Sequence, residues 1–360
     1  MKRYYFIVGE ASGDLHAANL IKELSALDTD ATFQGFGGER MQKQGLELTK
    51  HYQEMSFMGF LEVLMNLSDI RKNFKQAKKE LIEYKTDVLV LVDYPGFNLR
   101  MATFAKKHNI KVVYYITPQV WAWKESRVKK LKRDVDLLLP ILPFERSFFA
   151  KHGIDVNYVG HPLLDAFKDL DSRKIESEKP IIAILPGSRK QEIATSLPIM
   201  MEVAKSFENY QFIIAGAPSI SQDYYRSITQ DSYMPVLSNQ THALLKECKA
   251  AIVTSGTATL EAAILKVPQV VCYKTSAISY FLAKLVVKVK YIALVNLICD
   301  KEVVKELIQN DFNVDNLVNE LNRILNKKNK TQIHSDYERM IGLIGDDGAS
   351  QRAAQAINLI

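Results

Sequence analysis

Val88-Leu89-Val90-Leu91-Val92-Asp93-Tyr94-Pro95-Gly96-Phe97-Asn98 is the stretch on which the fold turns. Five consecutive apolar residues read as a strand, and the Pro-Gly turn ends it. Asp93 then stands at the strand's carboxyl end, the side on which open α/β sheets bind ligands. Partial burial there raises a carboxyl pKa and makes it a better base. An Asp before a Pro-Gly turn is equally at home as a loop cap, and position alone weighs the two readings evenly.

Working outward from this strand, apolar runs alternate with stretches of helical period. Strands are expected over 4–8, 32–36 and 112–116, and helices over 14–27, 70–84 and about 99–108. Such βα alternation predicts a doubly wound parallel sheet. A second series follows, with strands over 181–185, 211–215, 251–253 and 269–272. Helices fall after the first of these, around 241–248 and over 257–265. Between the series, residues 165–179 are rich in Lys, Asp, Ser and Glu and read as a linker or exposed crossover. A chain of 360 residues also exceeds the size at which one core usually stops growing, so two domains are expected.

Composition narrows the function classes. With 47% apolar and 24% charged residues the chain reads as globular. Its net charge of +6 suits an anionic partner such as a phosphate-bearing substrate or an acidic bilayer face. That excess is too small to imply nucleic acid, and no nucleic-acid motif accompanies it. Cys248, Cys272 and Cys299 are odd in number and widely spaced, which fits reduced, buried thiols and a cytoplasmic setting. The apolar tract 281–298 is interrupted by Lys284, Lys288 and Lys290, so it is not a bilayer-spanning helix. It reads as a solvated edge on a core helix, with a basic membrane-facing surface as the alternative.

Other strand ends carry chemistry too. Gly9-Glu10-Ala11-Ser12-Gly13-Asp14 follows the first strand and opens a helix, with Ser12 or Asp14 as the expected N-cap. Pro186-Gly187-Ser188-Arg189 offers two amides and a planar guanidinium to a diphosphate. Thr254-Ser255-Gly256-Thr257-Ala258-Thr259-Leu260-Glu261 presents small residues at a helix N-terminus, with Glu261 one turn inside. Two such loops place a nucleotide diphosphate in the second half, leaving the first for an acceptor and a base. The pairs Asp28/Asp30 and Asp134/Asp136 have the spacing of metal-binding carboxylates but are not read as metal sites. Trp121-Ala122-Trp123 leads into a basic run, either a core Trp pair beside a solvated face or a contact for lipid phosphate. The apolar stretch 55–67, including Met58, is either core or an adaptable acyl-chain surface.

Taken in order, GEASGD, FGGERM, MGFLEVL, VDYPGFN, PQVWAW, VGHPL, LPGSRKQEI, TSGTATLE and GDDGASQRAAQAI resemble the lipid-A-disaccharide synthase family across nearly the whole chain. The resemblance implies a GT-B fold, two facing Rossmann-like domains with an interdomain cleft and a C-terminal helix returning to the first. The domains then comprise 1–165 plus about 342–360 for the acceptor, and 166–341 for the UDP-sugar. It implies transfer of 2,3-diacylglucosamine from UDP-2,3-diacylglucosamine to the 6-hydroxyl of 2,3-diacylglucosamine 1-phosphate, with inversion and with no metal or redox cofactor. The setting is the inner face of the inner membrane, where the protein is peripheral, and an oligomer is compatible with it. By motif, Asp93 becomes the general base. Gly187, Ser188, Arg189, Gly256, Thr257 and Glu261 meet the UDP-sugar, with Asn296 and Gln309 near the uridine or sugar. Glu10, Ser12, Asp14, Met58 and Trp121 shape the acceptor side. Val295, Lys305 and Lys124 depart from the usual family residues. A UDP-sugar 2-epimerase and a non-catalytic nucleotide-binding or membrane-scaffold protein are the rival readings; the apolar MGFLEVL segment and PQVWAW suit neither a soluble substrate nor an epimerase.

Overall fold

The computed structural model describes residues 2–55, 67–167, 173–230, 234–287 and 289–360. The chain forms two compact units, one of Met1–Lys168 with Ile344–Ile360 and one of Asp169–Leu343.

The first unit is built on six parallel strands: β1 (Arg3–Val8), β2 (Thr32–Gly37), β3 (Leu46–His51), β4 (Val88–Val92), β5 (Lys111–Tyr115) and β6 (Leu137–Leu139). They lie in the order β3-β2-β1-β4-β5-β6. Because side chains alternate along a strand, β1 feeds both faces of the sheet. Tyr4, Phe6 and Val8 enter one core, and Tyr5 and Ile7 the other. β4 divides in the same way, with Val88, Val90 and Val92 on the first face and Leu89 and Leu91 on the second.

The helix Ala349–Asn358 belongs to this unit. It lies against the helix Ala11–Leu27 and adds Ala353, Ala354 and Ile357 to the core of Tyr4, Phe6 and Val8. Asp165 fixes its start, accepting the Gly348 amide at 2.5 Å and the Ser350 amide at 2.7 Å. Arg352 donates back to the Val159 carbonyl at 2.8 Å. Asp165 is therefore not the first residue of a linker. It sits on the helix Leu163–Ala166 and acts as the anchor of a helix nearly two hundred positions away.

The second unit repeats the plan with β7 (Ile181–Leu185), β8 (Gln211–Gly216), β9 (Val236–Ser238), β10 (Cys248–Thr254), β11 (Gln269–Tyr273) and β12 (Lys305–Ile308). Its order, β12-β11-β10-β7-β8-β9, is the same topology read from the other edge. In each sheet the order reverses between the first and fourth strands of the unit, at β1/β4 and at β7/β10. That switch point is where an open α/β sheet leaves a crevice for a ligand.

Two local expectations are corrected. The helix Ala11–Leu27 takes Glu10 as its N-cap, without a side-chain cap, so neither Ser12 nor Asp14 fills that place. Ser12 donates to Glu10 at 2.7 Å, and the buried Asp14 instead receives the Arg40 and Met41 amides, both at 3.2 Å. Asp14 thus holds the start of a different helix, Glu39–Lys43. The solvated face of the tract beginning at Phe281 carries large apolar side chains as well as lysine. In the helix Ala277–Val286, Phe281 is 64% and Leu285 68% exposed, beside an exposed Lys284. Among the described residues no helix is long and apolar enough to cross a membrane.

Candidate functional site

In the first unit the switch point gathers carboxylates. Glu10 follows β1 and Asp93 follows β4, two adjacent parallel strands in register from Tyr4–Val88 to Val8–Val92. Asp93 and Tyr94 both adopt left-handed backbone, with φ of 44° and 46°. Two such non-glycine residues in succession are costly and persist only where the surroundings enforce them. Here the Asp93 carbonyl accepts from the Tyr114 hydroxyl at 2.6 Å and from the Asn98 side chain at 2.8 Å, and its amide donates to Ile116 at 3.2 Å. The Asn98 amide group also reaches the Val92 carbonyl at 3.2 Å, closing the end of β4 from below. The Tyr94 ring lies over Gly9, where a Cβ would come within 2.4 Å of it, and the Tyr94 hydroxyl donates to the Met55 carbonyl at 2.9 Å. The glycine of the first turn is needed for that ring.

This strained corner points a half-buried carboxyl out of the sheet. Burial, then the negative charge of Glu10, push the Asp93 carboxyl up to about 7, with Glu145 adding to the effect. Glu145 is the residue that sequence reading missed. It is fully buried, and burial pushes it up to about 7 as well. One of its oxygens accepts Thr117 at 2.7 Å and the Trp121 indole at 3.2 Å; the other accepts the Ile141 and Leu142 amides at 3.1 and 2.9 Å. Glu145 therefore clamps the loops after β5 and β6 together. An acid inside an amphipathic helix start gave no sign of this.

The two tryptophans separate. Trp121 is half-buried on Glu145 and meets Phe144 edge-on at 4.8 Å, whereas Trp123 is 39% exposed. They are not a core pair. His161 of the VGHPL motif is buried, and burial with the nearby His16 pulls it down to about 3, so it is neutral at physiological pH. Met58 and the rest of MGFLEVL lie outside the described residues.

The second unit's switch point is built from small residues. Gly187 has a φ of 116°, and the Glu192 side chain packs where its Cβ would be. Glu192 accepts the Ser188 amide at 3.1 Å and pairs with Arg189 at 2.9 Å, leaving the Arg189 side chain 51% exposed. An internal carboxylate thus already engages the amide and the guanidinium that a phosphate would use. Opposite, after β10, the helix Thr257–Ile264 starts at Gly256 with no side-chain cap, and a Cβ on Gly256 would meet nothing within 4 Å. Glu261 pairs with His242 at 2.9 Å, a partner that sequence reading did not single out.

Asn296 has no hydrogen-bonding capacity to spare, whereas Gln309 is only partly engaged. Buried Asn296 donates to Val304 and Glu306, both at 2.8 Å, and accepts the Val303 and Val304 amides at 2.8 and 3.0 Å, which fills its hydrogen-bonding capacity. Gln309 exchanges two bonds with the Thr275 backbone, at 3.1 and 3.2 Å. Both shape loops. The paired Asp residues are also engaged: Asp28 accepts the Lys2 and Asp30 amides, Asp134 holds Arg133, and Asp136 holds Lys106 and the Val112 amide.

Comparison with known proteins gives the family and the fold. The family model described as lipid-A-disaccharide synthetase matches residues 4–360. Lipid-A-disaccharide synthase of Trichlorobacter lovleyi is 36% identical over 367 residues, covering 98% of this chain and 96% of that protein. The enzyme of Myxococcus xanthus is 36% identical over 369 residues, covering 99% and 96%. Among solved structures, UDP-GlcNAc 2-epimerase from Neisseria meningitidis bound to UDP-GlcNAc is similar, with a TM-score of 0.69 at 14% identity and full coverage of both chains. CalG4, the calicheamicin glycosyltransferase, gives 0.63 at 15% identity, covering 100% of this chain and 98% of that one. At such identities these structures speak for the fold, the GT-B architecture shared by such epimerases and glycosyltransferases.

Proposed function

This chain belongs to the lipid-A-disaccharide synthase family, and on that premise we propose that Asp93 is the general base of its glycosyl transfer. The chain is a hexosyltransferase of lipid A assembly that uses a UDP-sugar and a lipid acceptor. In the reaction it performs, the acceptor's 6-hydroxyl oxygen attacks C1 of the diacylglucosamine. The new C1–O bond forms as the bond to UDP breaks, and the hydroxyl proton passes to Asp93.

The observation that carries this is the corner at β4. A carboxyl that titrates near 7 is ionised often enough to accept a proton and basic enough to draw one in the transition state. Its left-handed backbone is held by Asn98 and Tyr114, so the position from which the carboxyl springs is fixed before substrate arrives. Glu10 and Ser12 border the acceptor beside it, and Trp121 walls that side through Glu145. Asp14 acts at one remove, through the helix it caps.

UDP belongs on the second unit. Arg189 and the Ser188 amide take the diphosphate after Glu192 has been displaced, and the helix start at Gly256 and Thr257 adds its dipole. Glu261 is then placed for hydroxyls of the nucleotide or sugar. Charge on the leaving UDP is met by these groups in the absence of any metal role. Asn296 and Gln309 position loops of this unit.

Membrane contact fits the helix Ala277–Val286, where Phe281 and Leu285 stand out beside Lys284, and residues 274–299 contain no acid. Changing both to Ser should release the protein from anionic vesicles in a sedimentation assay. The function itself is tested by giving purified protein both diacylated sugars and following UDP and the disaccharide 1-phosphate by mass spectrometry. Absence of product, or an epimerised UDP-sugar without acceptor, would defeat the reading.

A further inference from the structure

Lys124 and Arg127 form a cation pair that the transfer reaction described above does not use. Both lie against the exposed Trp123 ring, the Lys124 ammonium 5.1 Å and the Arg127 guanidinium carbon 4.8 Å from its centroid. Of the other cations nearby, Arg133 binds Asp134 at 2.6 Å, Lys132 the His152 carbonyl at 3.2 Å and Lys106 Asp136 at 2.7 Å, while Lys129 and Lys130 are exposed to solvent. Glu125 is the one acid between Lys124 and Arg133, and it pairs with His152 at 3.3 Å instead. Among the described residues neither Lys124 nor Arg127 makes an ion pair or a side-chain hydrogen bond. Burial lowers the pKa of Arg127, so its half-buried guanidinium loses water that no carboxylate replaces. Two cations drawn to one indole without a counter-charge repel each other, and a bound anion would relieve both costs.

The place of the pair says which anion. Arg127 lies near the buried, uncharged Tyr114 of β5, whose hydroxyl donates to the Asp93 carbonyl at 2.6 Å. The guanidinium therefore lies toward the strand end that carries the proposed base, where the acceptor has to bind. Arginine's planar fork matches the oxygens of a phosphate monoester, and an ammonium beside it adds a second positive charge.

We propose that Arg127, assisted by Lys124, binds the phosphate of the acceptor sugar and so selects phosphorylated over unphosphorylated acceptor. This rests on the glycosyl-transfer reading above. The test is steady-state kinetics of wild type, Arg127→Met and Arg127→Lys with 2,3-diacylglucosamine 1-phosphate and with the same sugar lacking phosphate. Wild type should prefer the phosphorylated acceptor. Arg127→Met should lose about 10- to 100-fold in kcat/KM on it and change within about two-fold on the other, with the donor KM unmoved. Arg127→Lys should fall between.

Equal loss on both acceptors would make Arg127 a structural residue and overturn the proposal, as would a wild type without preference. Sedimentation with anionic vesicles distinguishes the other phosphate source. It should be unchanged in Arg127→Met; loss of vesicle binding with acceptor preference intact would assign the pair to lipid headgroups instead. No transfer by wild type to either acceptor would defeat the glycosyltransferase reading itself, a different result from transfer without discrimination.

Discussion

The two units share one strand order and place their chemistry at the same switch point, yet they fill it with opposite materials. Between β1 and β4 stand Glu10 and Asp93, with Glu145 buried behind them, and a backbone forced into left-handed geometry. Between β7 and β10 stand Gly187, Ser188, Gly256 and Thr257, with Arg189 and an uncapped helix start. The first arrangement raises carboxyl pKa values, because acids are crowded into a poorly hydrated place. The second leaves amides and a guanidinium for negative charge. Topology thus decides where a site is, and the few residues after each strand decide whether it moves a proton or holds an anion.

Substitutions can break that division. Asp93→Asn keeps the shape of the β4 corner and removes the base, so turnover should fall by about 10²- to 10⁴-fold, read as UDP release with both sugars present. UDP affinity, measured by calorimetry, should stay within about two-fold of wild type. Next in size, Arg189→Met should weaken UDP binding by about 10- to 100-fold through loss of a charge-assisted contact, while acceptor KM is unmoved. A shift in acceptor KM alone would dissolve the assignment of nucleotide to the second unit.

Glu192→Gln runs the other way. It weakens the internal competitor of the diphosphate, and UDP should bind about two- to five-fold more tightly, the scale of one exposed ion pair. Uridine, which lacks phosphate, should bind both proteins alike. Weaker UDP binding would show that Glu192 positions Arg189 for the ligand instead of competing with it. The smallest effect belongs to Glu10→Gln. Removing a negative charge that raises the Asp93 carboxyl should move the acid limb of kcat/KM to lower pH, by less than about one unit.

What could be read from sequence follows the same physics. The expected strands β1, β2, β4 and β5, and β7, β8, β10 and β11, are the inner members of their sheets. The four not expected, β3, β6, β9 and β12, are the four edges. Inner strands are apolar because both faces are covered; edges such as Leu46-Glu47-Leu48-Thr49-Lys50-His51 and Lys305-Glu306-Leu307-Ile308 carry charge, as unpaired edges do. The loops at the switch points were legible for a related reason, since small residues and acids after an apolar run stand out. Partnerships across sequence were not. Nothing near Glu145 announces that it will hold Trp121, and Asp165 looks like linker until Gly348 and Ser350 are folded onto it. Asn296 showed the converse, a polar residue in a motif whose every hydrogen bond is internal.

The pH dependence of kcat/KM, taken on wild type and on the residual activity of Asp93→Asn with lipid substrates, tests the central claim most directly. Asp93 must be ionised to accept the proton, so wild-type kcat/KM should rise with a slope of one as pH increases and level off above about 7. The residual activity of Asp93→Asn should lack that limb. A limb that survives unchanged in Asp93→Asn would show that another group accepts the proton and would contradict the account.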